Sequence, residues 1–161
     1  RLTKEVASVS ESYAPLLEQN LTLDELLSGT FNSILRIEEQ SLESRLTRGL
    51  TITDIHTLVA VGLYEHNPMN VVASRLNVTL ATLTTAAKKL ERQGYVCRER
   101  CSDDRRKVLL SLTARGRKVY RAHRLFHEKM LAAALAGLSA DEARVLATSL
   151  AKIKGFFDAR L

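Results

Sequence analysis

The sequence predicts a mainly α-helical (α+β) fold with one two-stranded hairpin set between helices. Both ends of the chain repeat apolar residues at helical intervals. Residues 95–112 instead alternate apolar and polar side chains, as strands do, on either side of the polar segment SDDRRK. The chain has 161 residues, of which 45% are hydrophobic, and this is enough to bury a core.

Charge is distributed unevenly along the chain. Residues 1–74 carry ten acidic and five basic side chains, whereas residues 75–124 carry fourteen basic and four acidic ones. Such a concentration of positive charge is typical of a protein that binds a polyanion. No apolar run approaches the ~18–20 residues of a membrane-spanning helix, so no membrane partner is expected.

A long N-terminal helix is predicted over residues 24–46, and Gly49 is expected to end it. Its apolar positions are Leu27, Phe31, Ile34, Leu35, Leu42 and Leu46. Residues 1–22, which Pro15 interrupts, predict a short extra helix or a mobile arm.

A second helix is predicted over residues 51–66, with Thr51 or Thr53 as its N-cap. Its expected buried stripe is Ile52, Ile55, Val59 and Leu63. Pro68 interrupts the chain after this helix, and Asn70 is expected to cap a short helix over residues 71–76.

The short helix, a turn at residues 77–79 and a further helix that Gly94 ends make a helix-turn-helix pattern. The further helix has one apolar face, formed by Leu80, Leu83, Ala87 and Leu90. Its opposite face is small, hydroxylated and basic, so it can approach a major groove, where Thr contacts base edges and Lys reaches guanine or phosphate. The residues predicted to contact DNA are Thr79, Ala81, Thr82, Thr84, Thr85, Lys88, Lys89 and Arg92.

The hairpin that follows predicts a DNA-binding wing. Its tip would reach the neighbouring minor groove or the phosphate backbone, and a narrow minor groove attracts arginine through its negative potential. We expect Arg106, oriented by Asp104, to enter the minor groove. Arg105 and Lys107 are expected to contact phosphate.

Two helices complete the chain. Thr113 is predicted to cap the first, whose apolar positions include Val119, Phe126, Met130 and Leu131. Ser139 and Glu142 fit a capping box at the start of the second. The last helix carries Val145, Leu146, Leu150, Ile153, Phe156 and Phe157.

This order of elements resembles the MarR family of bacterial transcription regulators. Within residues 90–116, the family's wing signature is matched by Leu90, Glu91, Gly94, Val96, Arg98, Asp104, Arg105, Arg106, Leu112, Thr113 and Gly116. The resemblance covers residues 24–161. It implies a winged helix-turn-helix module at 49–113, flanked by dimerisation helices at 1–48 and 114–161. A homodimer of this kind would bind palindromic duplex DNA.

Four stretches resemble more closely the branch of this family that represses fatty-acid synthesis genes: FNSILRIEE, DIHTL, VTLATLTTAAKKLE and HRLFHEKM. That resemblance implies a repressor with long-chain acyl–acyl carrier protein as corepressor. It also implies an apolar tunnel between the dimerisation helices and the DNA-binding module, with His56 near its polar end. The expected ligand-binding residues are Phe31, Ile34, Leu35, Ile55, His56, Val59, Phe126, His127 and Met130.

The alternative is a MarR-type repressor released by a small aromatic ligand, by zinc or by thiol oxidation. His123 and His127 have a spacing that can hold a metal on one helix face. Beyond Glu128, however, no acid or cysteine is placed to complete a site, so no metal or cofactor is expected. Cys97 and Cys101 would lie ~13 Å apart in an extended strand, too far for a disulfide. We therefore interpret them as reduced residues of a cytoplasmic protein.

No catalytic residues are predicted. The sequence has no Gly-rich phosphate loop, no nucleophile with a plausible His and acid, and no paired-carboxylate motif. Glu38 and Glu39 are interpreted as the solvated face of a helix. A helical adaptor for an acidic protein would explain the basic residues but not the hairpin.

Overall fold

In a computed structural model of the chain, the described residues are 17–41, 46–101 and 107–160, with side chains from residue 25 onward. The helices in these ranges are α1 (Leu17–Ser41), α2 (Ile52–Val61), α3 (Met69–Arg75), α4 (Leu80–Arg92), α5 (Ala114–Leu135) and α6 (Ala140–Asp158). The strands are β1 (Asn67–Pro68), β2 (Val96–Arg100) and β3 (Val108–Leu112). The predicted mainly α fold with a winged helix-turn-helix is confirmed. Two compact units, residues 1–56 and 57–161, divide the chain within α2.

In the first unit, α1 begins at Leu17 rather than at residue 24. Residues 17–22 are therefore part of the long helix and not a separate helix or arm, while residues 1–16 lie outside the described residues. Helix α1 ends at Ser41, and residues 42–45 lie outside the described residues. Gly49 follows a turn and adopts a left-handed φ of 82°. Several large apolar side chains of α1 are exposed: Leu26, Phe31, Leu35 and Ile37.

Thr51, rather than Thr53, caps α2. Its hydroxyl accepts a hydrogen bond from the Asp54 amide (3.2 Å), and the Asp54 carboxylate accepts one from the Thr51 amide (2.8 Å). The helix ends at Val61, before Gly62 at φ 90°, and does not continue to residue 66.

The predicted buried stripe of α2 is wrong at three of its positions. Ile55 is buried, but Ile52 and Leu63 are half-buried and Val59 is exposed. The buried face instead includes Asp54, Thr57, Leu58 and Val61. Because this short helix is apolar on more than one side, periodicity alone does not identify the face that packs.

The second unit contains a three-stranded antiparallel sheet in the order β1-β3-β2. Strands β2 and β3 pair from Val96↔Leu112 to Arg100↔Val108, as the hairpin predicts. Strand β1 was not predicted, because two residues are too few to show alternation; Pro68 is tolerated there because β1 is an edge strand. Pro68 also takes the N-cap position of α3, without a side-chain cap, so the prediction of Asn70 as the cap is wrong.

The core of the second unit is formed by side chains of α2, α3, α4, β3 and α5 and by Tyr95, which lies between α4 and β2. The most deeply buried are Leu58, Val61, Val72, Leu83, Leu90, Tyr95, Leu110 and Val119. At Gly116 a Cβ atom would lie 2.1 Å from the backbone oxygen of Tyr95, so this glycine lets the start of α5 approach the chain between α4 and β2. The capping roles predicted for Thr113 and for the Ser139–Glu142 box are confirmed.

Helix α6 has no buried residue. Its exposed apolar side chains are Val145, Leu146, Leu150, Ile153, Phe156 and Phe157. Within the described ranges, none of the helices combines the length and the apolar character that crossing a membrane requires.

Candidate DNA-binding surface

The position of α4 is set by its two ends. Asn77 turns the chain after α3 with a φ of 52°, and the Val78 amide donates to the Ala73 carbonyl (3.1 Å). Thr79 then caps α4 by accepting a hydrogen bond from the Thr82 amide (3.1 Å). At the other end Gly94 adopts a φ of 76°, and the Tyr95 amide donates to the Leu90 carbonyl (2.9 Å). The predicted turn at residues 77–79 and the predicted helix end at Gly94 are confirmed.

The two faces of α4 differ as predicted, with one exception. Leu83, Ala87 and Leu90 are buried, whereas Leu80 is 52% exposed. Leu80 is the first residue of the helix, ahead of the turn that packs on the core, so its assignment to the buried face is wrong. Of the predicted DNA-contacting residues, Thr84 and Lys89 are half-buried and the others on this helix are exposed: Thr79, Ala81, Thr82, Thr85, Lys88 and Arg92.

Hydroxyl groups on the outer face of α4 are already oriented by the helix. Thr84 Oγ1 donates to the Leu80 carbonyl (2.7 Å) and Thr85 Oγ1 to the Ala81 carbonyl (3.3 Å). A hydroxyl whose proton is used in this way has only acceptor capacity left. In a major groove it would accept from the amino group of adenine or cytosine. The face is therefore chemically suited to reading base edges.

Positive charge lies on the C-terminal half of the same face. A shallow depression there is lined by Thr85, Lys88, Glu91 and Arg92. The one acid in this group is Glu91, and its Oε2 lies 3.4 Å from Nη1 of Arg98 on β2. This ion pair partly neutralises Glu91, and Lys88 and Arg92 give the surface its cationic character.

The wing is described up to the base of its tip. The Cys101 amide donates to the Lys107 carbonyl (2.9 Å), which closes the hairpin, and Lys107 is exposed. Asp104, Arg105 and Arg106 lie outside the described residues, so their predicted contacts stay predictions. Cys97 is exposed and Cys101 half-buried, and both are free cysteines.

The predicted ligand-binding residues of the first unit have different environments. Phe31 and Leu35 are exposed, Ile34 and His56 are half-buried, and Ile55 is buried.

The interpretation of Glu38 as part of a solvated helix face is wrong. Glu38 is 3% exposed, and its Oε2 lies 3.8 Å from Nε2 of His56. Glu39 is exposed, so of these two acids Glu39 alone lies on a solvated face. The signal was present in the sequence, because Glu38 lies four residues after Ile34 on the predicted apolar stripe.

In the second unit, Phe126, His127 and Met130 are half-buried on α5, and Val59 is 37% exposed. The imidazole of His127 packs edge-on against the Phe126 ring (centroids 5.5 Å apart). Its Nε2 lies 3.1 Å from Nε2 of His123. The i,i+4 histidines are thus in direct contact, and one ring nitrogen serves as donor to the other.

Known proteins similar to this chain are DNA-binding regulators. A family model described as MarR family matches residues 50–108. The uncharacterized HTH-type transcriptional regulator YhjH of Bacillus subtilis is 32% identical over 121 residues, which are 74% of this chain and 67% of that protein. The HTH-type transcriptional regulator SarZ of Staphylococcus saprophyticus is 37% identical over 70 residues, or 44% of this chain, and here the chain spans about half of its relative (48%).

Solved structures show the same likeness. Streptococcus pneumoniae FabT, crystallised in complex with DNA, superposes with a TM-score of 0.84 at 35% identity, covering 88% of this chain and 99% of that one. The Staphylococcus aureus MepR–DNA complex has a TM-score of 0.69 at 21% identity, covering 83% and 95% of the two chains, and is a likeness of fold alone.

Proposed function

Because the chain belongs to the MarR family of DNA-binding transcription regulators, we propose that it is a homodimeric repressor of fatty-acid synthesis genes with long-chain acyl–acyl carrier protein as corepressor. The observation that carries the DNA-binding part is the exposed, hydroxylated and basic outer face of α4. The likeness to FabT supports the assignment to lipid synthesis. The protein would act on DNA in the cytoplasm, without catalysis.

The proposal gives each part of the chain a role on DNA. Thr79, Thr82, Thr85 and Lys88 read bases in the major groove, and Arg106 enters the minor groove. Asp104 orients Arg106, and Arg105 and Lys107 contact phosphate. Residues 49–113 form the DNA-binding module, and residues 1–48 and 114–161 form the dimerisation helices. The exposed apolar side chains of α1 and α6 support a dimer, because a monomer would leave them in water.

The acyl chain would be held by the nine residues predicted above, from Phe31 to Met130. An acyl chain offers few polar groups, so its binding energy comes from burial, at ~0.8 kcal/mol per methylene. Affinity should therefore rise with chain length until the site is full. A ligand that favours the DNA-binding arrangement of the dimer would tighten operator binding, as a corepressor does.

The test is operator binding in the presence of carrier protein. A palindromic duplex is selected from a random pool, and its Kd is measured by fluorescence anisotropy with carrier protein that is unloaded, loaded with a short acyl chain, or loaded with a long one. We expect the Kd to fall only with the long chain, and Val59→Phe to abolish this response while ligand-free binding is kept. Equal affinity in all three cases contradicts the corepressor. Release of the duplex by zinc, an aromatic acid or a thiol oxidant would favour the alternative effectors instead.

A further inference from the structure

A second concentration of positive charge lies in the N-terminal part of α5. The sequence has no carboxylate between Asp104 and Glu128, and the first turn of α5 contains no acid. Cations at a helix N-terminus oppose the helix dipole. Helix α6, by contrast, begins with Asp141 and Glu142. Basic residues placed where the helix dipole disfavours them indicate a functional rather than a folding role.

The charged groups are held around an exposed aromatic ring. Tyr64 is 68% exposed, and its hydroxyl accepts a hydrogen bond from Nη2 of Arg121 (2.5 Å). The guanidinium carbons of Arg117 and Arg121 lie 5.7 and 5.8 Å from the centre of the Tyr64 ring. Nη1 of Arg117 also donates to the Leu112 carbonyl (2.6 Å). Both guanidinium groups are therefore fixed in place and retain further N–H donors.

Two neighbouring cations have other surroundings: the aromatic ring beside Arg115 is buried, and Arg124 has a carboxylate partner. Arg115 lies over the Tyr95 ring (4.3 Å) and donates to the Gln93 carbonyl (3.0 Å), so it supports the fold. Arg124 pairs with Glu128 (2.8 Å). For Arg117 and Arg121, no carboxylate of the described residues lies at ion-pair distance.

This surface lies away from the base-reading end of α4. The Thr113 hydroxyl, which caps α5, donates to the Gly94 carbonyl (2.7 Å) at the C-terminal end of α4. The predicted base-reading residues begin at Thr79, one helix of 13 residues away, which is about 20 Å. Strand β3 also runs from the wing tip to Leu112, so α5 starts at the end of the hairpin opposite the tip. DNA bound by the N-terminal half of α4 and by the wing tip would lie away from this surface, whereas Lys88 and Arg92 lie nearer to the C-terminal end of α4.

We propose that Tyr64, Arg117, Arg121 and the exposed Lys118, here called the α5 cationic face, dock the carboxylate-rich surface of a protein partner. Guanidinium groups bind carboxylates through paired hydrogen bonds. Arginine and tyrosine are also the residue types that contribute most at protein interfaces, and fixed side chains lose little entropy on binding. The identity of the partner rests on the proposed function, whose acyl carrier protein is an acidic protein.

The test is charge reversal with two independent readouts. The variants are Arg121→Glu and the double variant Arg117→Glu/Arg121→Glu. Arg121 is included alone because, among the described residues, its hydrogen bond and its ring contact are both with the Tyr64 side chain. The control, Lys129→Glu/Lys152→Glu, changes net charge equally at exposed positions outside the face. Calorimetry measures binding of long-chain acyl carrier protein, and anisotropy measures binding of the selected duplex and of a random duplex without carrier protein.

We expect the double variant to lose about tenfold or more in carrier-protein affinity, as for loss of interfacial charge pairs, with binding to both duplexes unchanged and the control near wild type. Unchanged carrier binding in both variants overturns the docking surface and leaves the proposed function standing. No carrier binding by the wild-type protein overturns both. Weaker binding to the random duplex with a smaller salt dependence would make this face a contact with flanking DNA and would overturn the inference.

Discussion

Gly116→Ala should destabilise the DNA-binding module strongly, although it adds a single methyl group. Gly116 is buried in the first turn of α5, and a Cβ atom there would lie 2.1 Å from the Tyr95 carbonyl oxygen and 3.3 Å from Cδ2 of Leu112. The first of these neighbours is backbone, so a change of rotamer cannot relieve the overlap. The start of α5 would have to move by about 1 Å to turn this overlap into a tight contact.

That movement disrupts the hydrogen bonds that join α5 to the end of α4. The Tyr95 carbonyl accepts from the Thr113 amide (3.0 Å), and the Thr113 hydroxyl shares its single proton between the carbonyls of Gly94 (2.7 Å) and Tyr95 (3.1 Å). Each such bond contributes about 0.5–1.5 kcal/mol net, and overpacking a core costs about 1–3 kcal/mol. We therefore expect the free energy of unfolding to fall by about 2–4 kcal/mol.

The assay is urea unfolding followed by far-UV circular dichroism. Wild type and Gly116→Ala are compared at the same concentration, because the stability of the proposed dimer would depend on it. With a slope of about 2 kcal/mol/M, the midpoint should fall by about 1–2 M. Gly137→Ala is the control, since a Cβ there meets nothing within 4 Å. A Gly116→Ala midpoint equal to that of the control would refute the close approach of α5 to Tyr95.

Three further outcomes follow from other parts of the chain. Removal of residues 145–161 deletes most of the exposed apolar surface of α6 and should give a monomeric or aggregated protein without operator binding; a soluble dimer in light scattering would contradict this. Lys107→Ala should weaken operator and random duplex alike and lower the salt slope by about one, and a loss confined to the operator would argue against a phosphate contact. Hydrogen bonds from the Ser139 backbone and side chain lower the pKa of Glu142, so the capping box should stabilise α6 fully above the usual glutamate pKa and lose this contribution as the pH falls through the lowered value. An NMR titration that gives Glu142 the usual glutamate pKa would contradict this coupling.

Local signals predicted the parts of the fold and site that depend on neighbouring residues. The caps at Thr113 and Ser139 are short-range hydrogen bonds, and both are present. The outer face of α4 was also predictable, since a helix with one apolar stripe leaves its other side exposed. The hairpin was predicted from alternation on both sides of a polar tip, and the structure supplies its register.

The features that were missed depend on what surrounds each element. Strand β1 exists because β3 offers an edge to Asn67 and Pro68, and two residues carry no periodicity. The buried side of α2 was misassigned because its apolar residues are not confined to one stripe. Leu80 precedes the packed part of α4, so it is exposed although it continues the apolar stripe. Sequence spacing does not report such environments.

The central claim is that the outer face of α4 reads DNA sequence, and a substitution at Lys88 tests it most directly. Binding of wild type, Lys88→Ala and the control Lys152→Ala to the selected palindrome and to a scrambled duplex is measured at one salt concentration. We expect Lys88→Ala to lose about 1–3 kcal/mol on the palindrome and to relax the preference over the scrambled duplex, while Lys152→Ala keeps both values. If Lys88→Ala retains the full preference for the palindrome, the outer face of α4 is not the surface that recognises the operator.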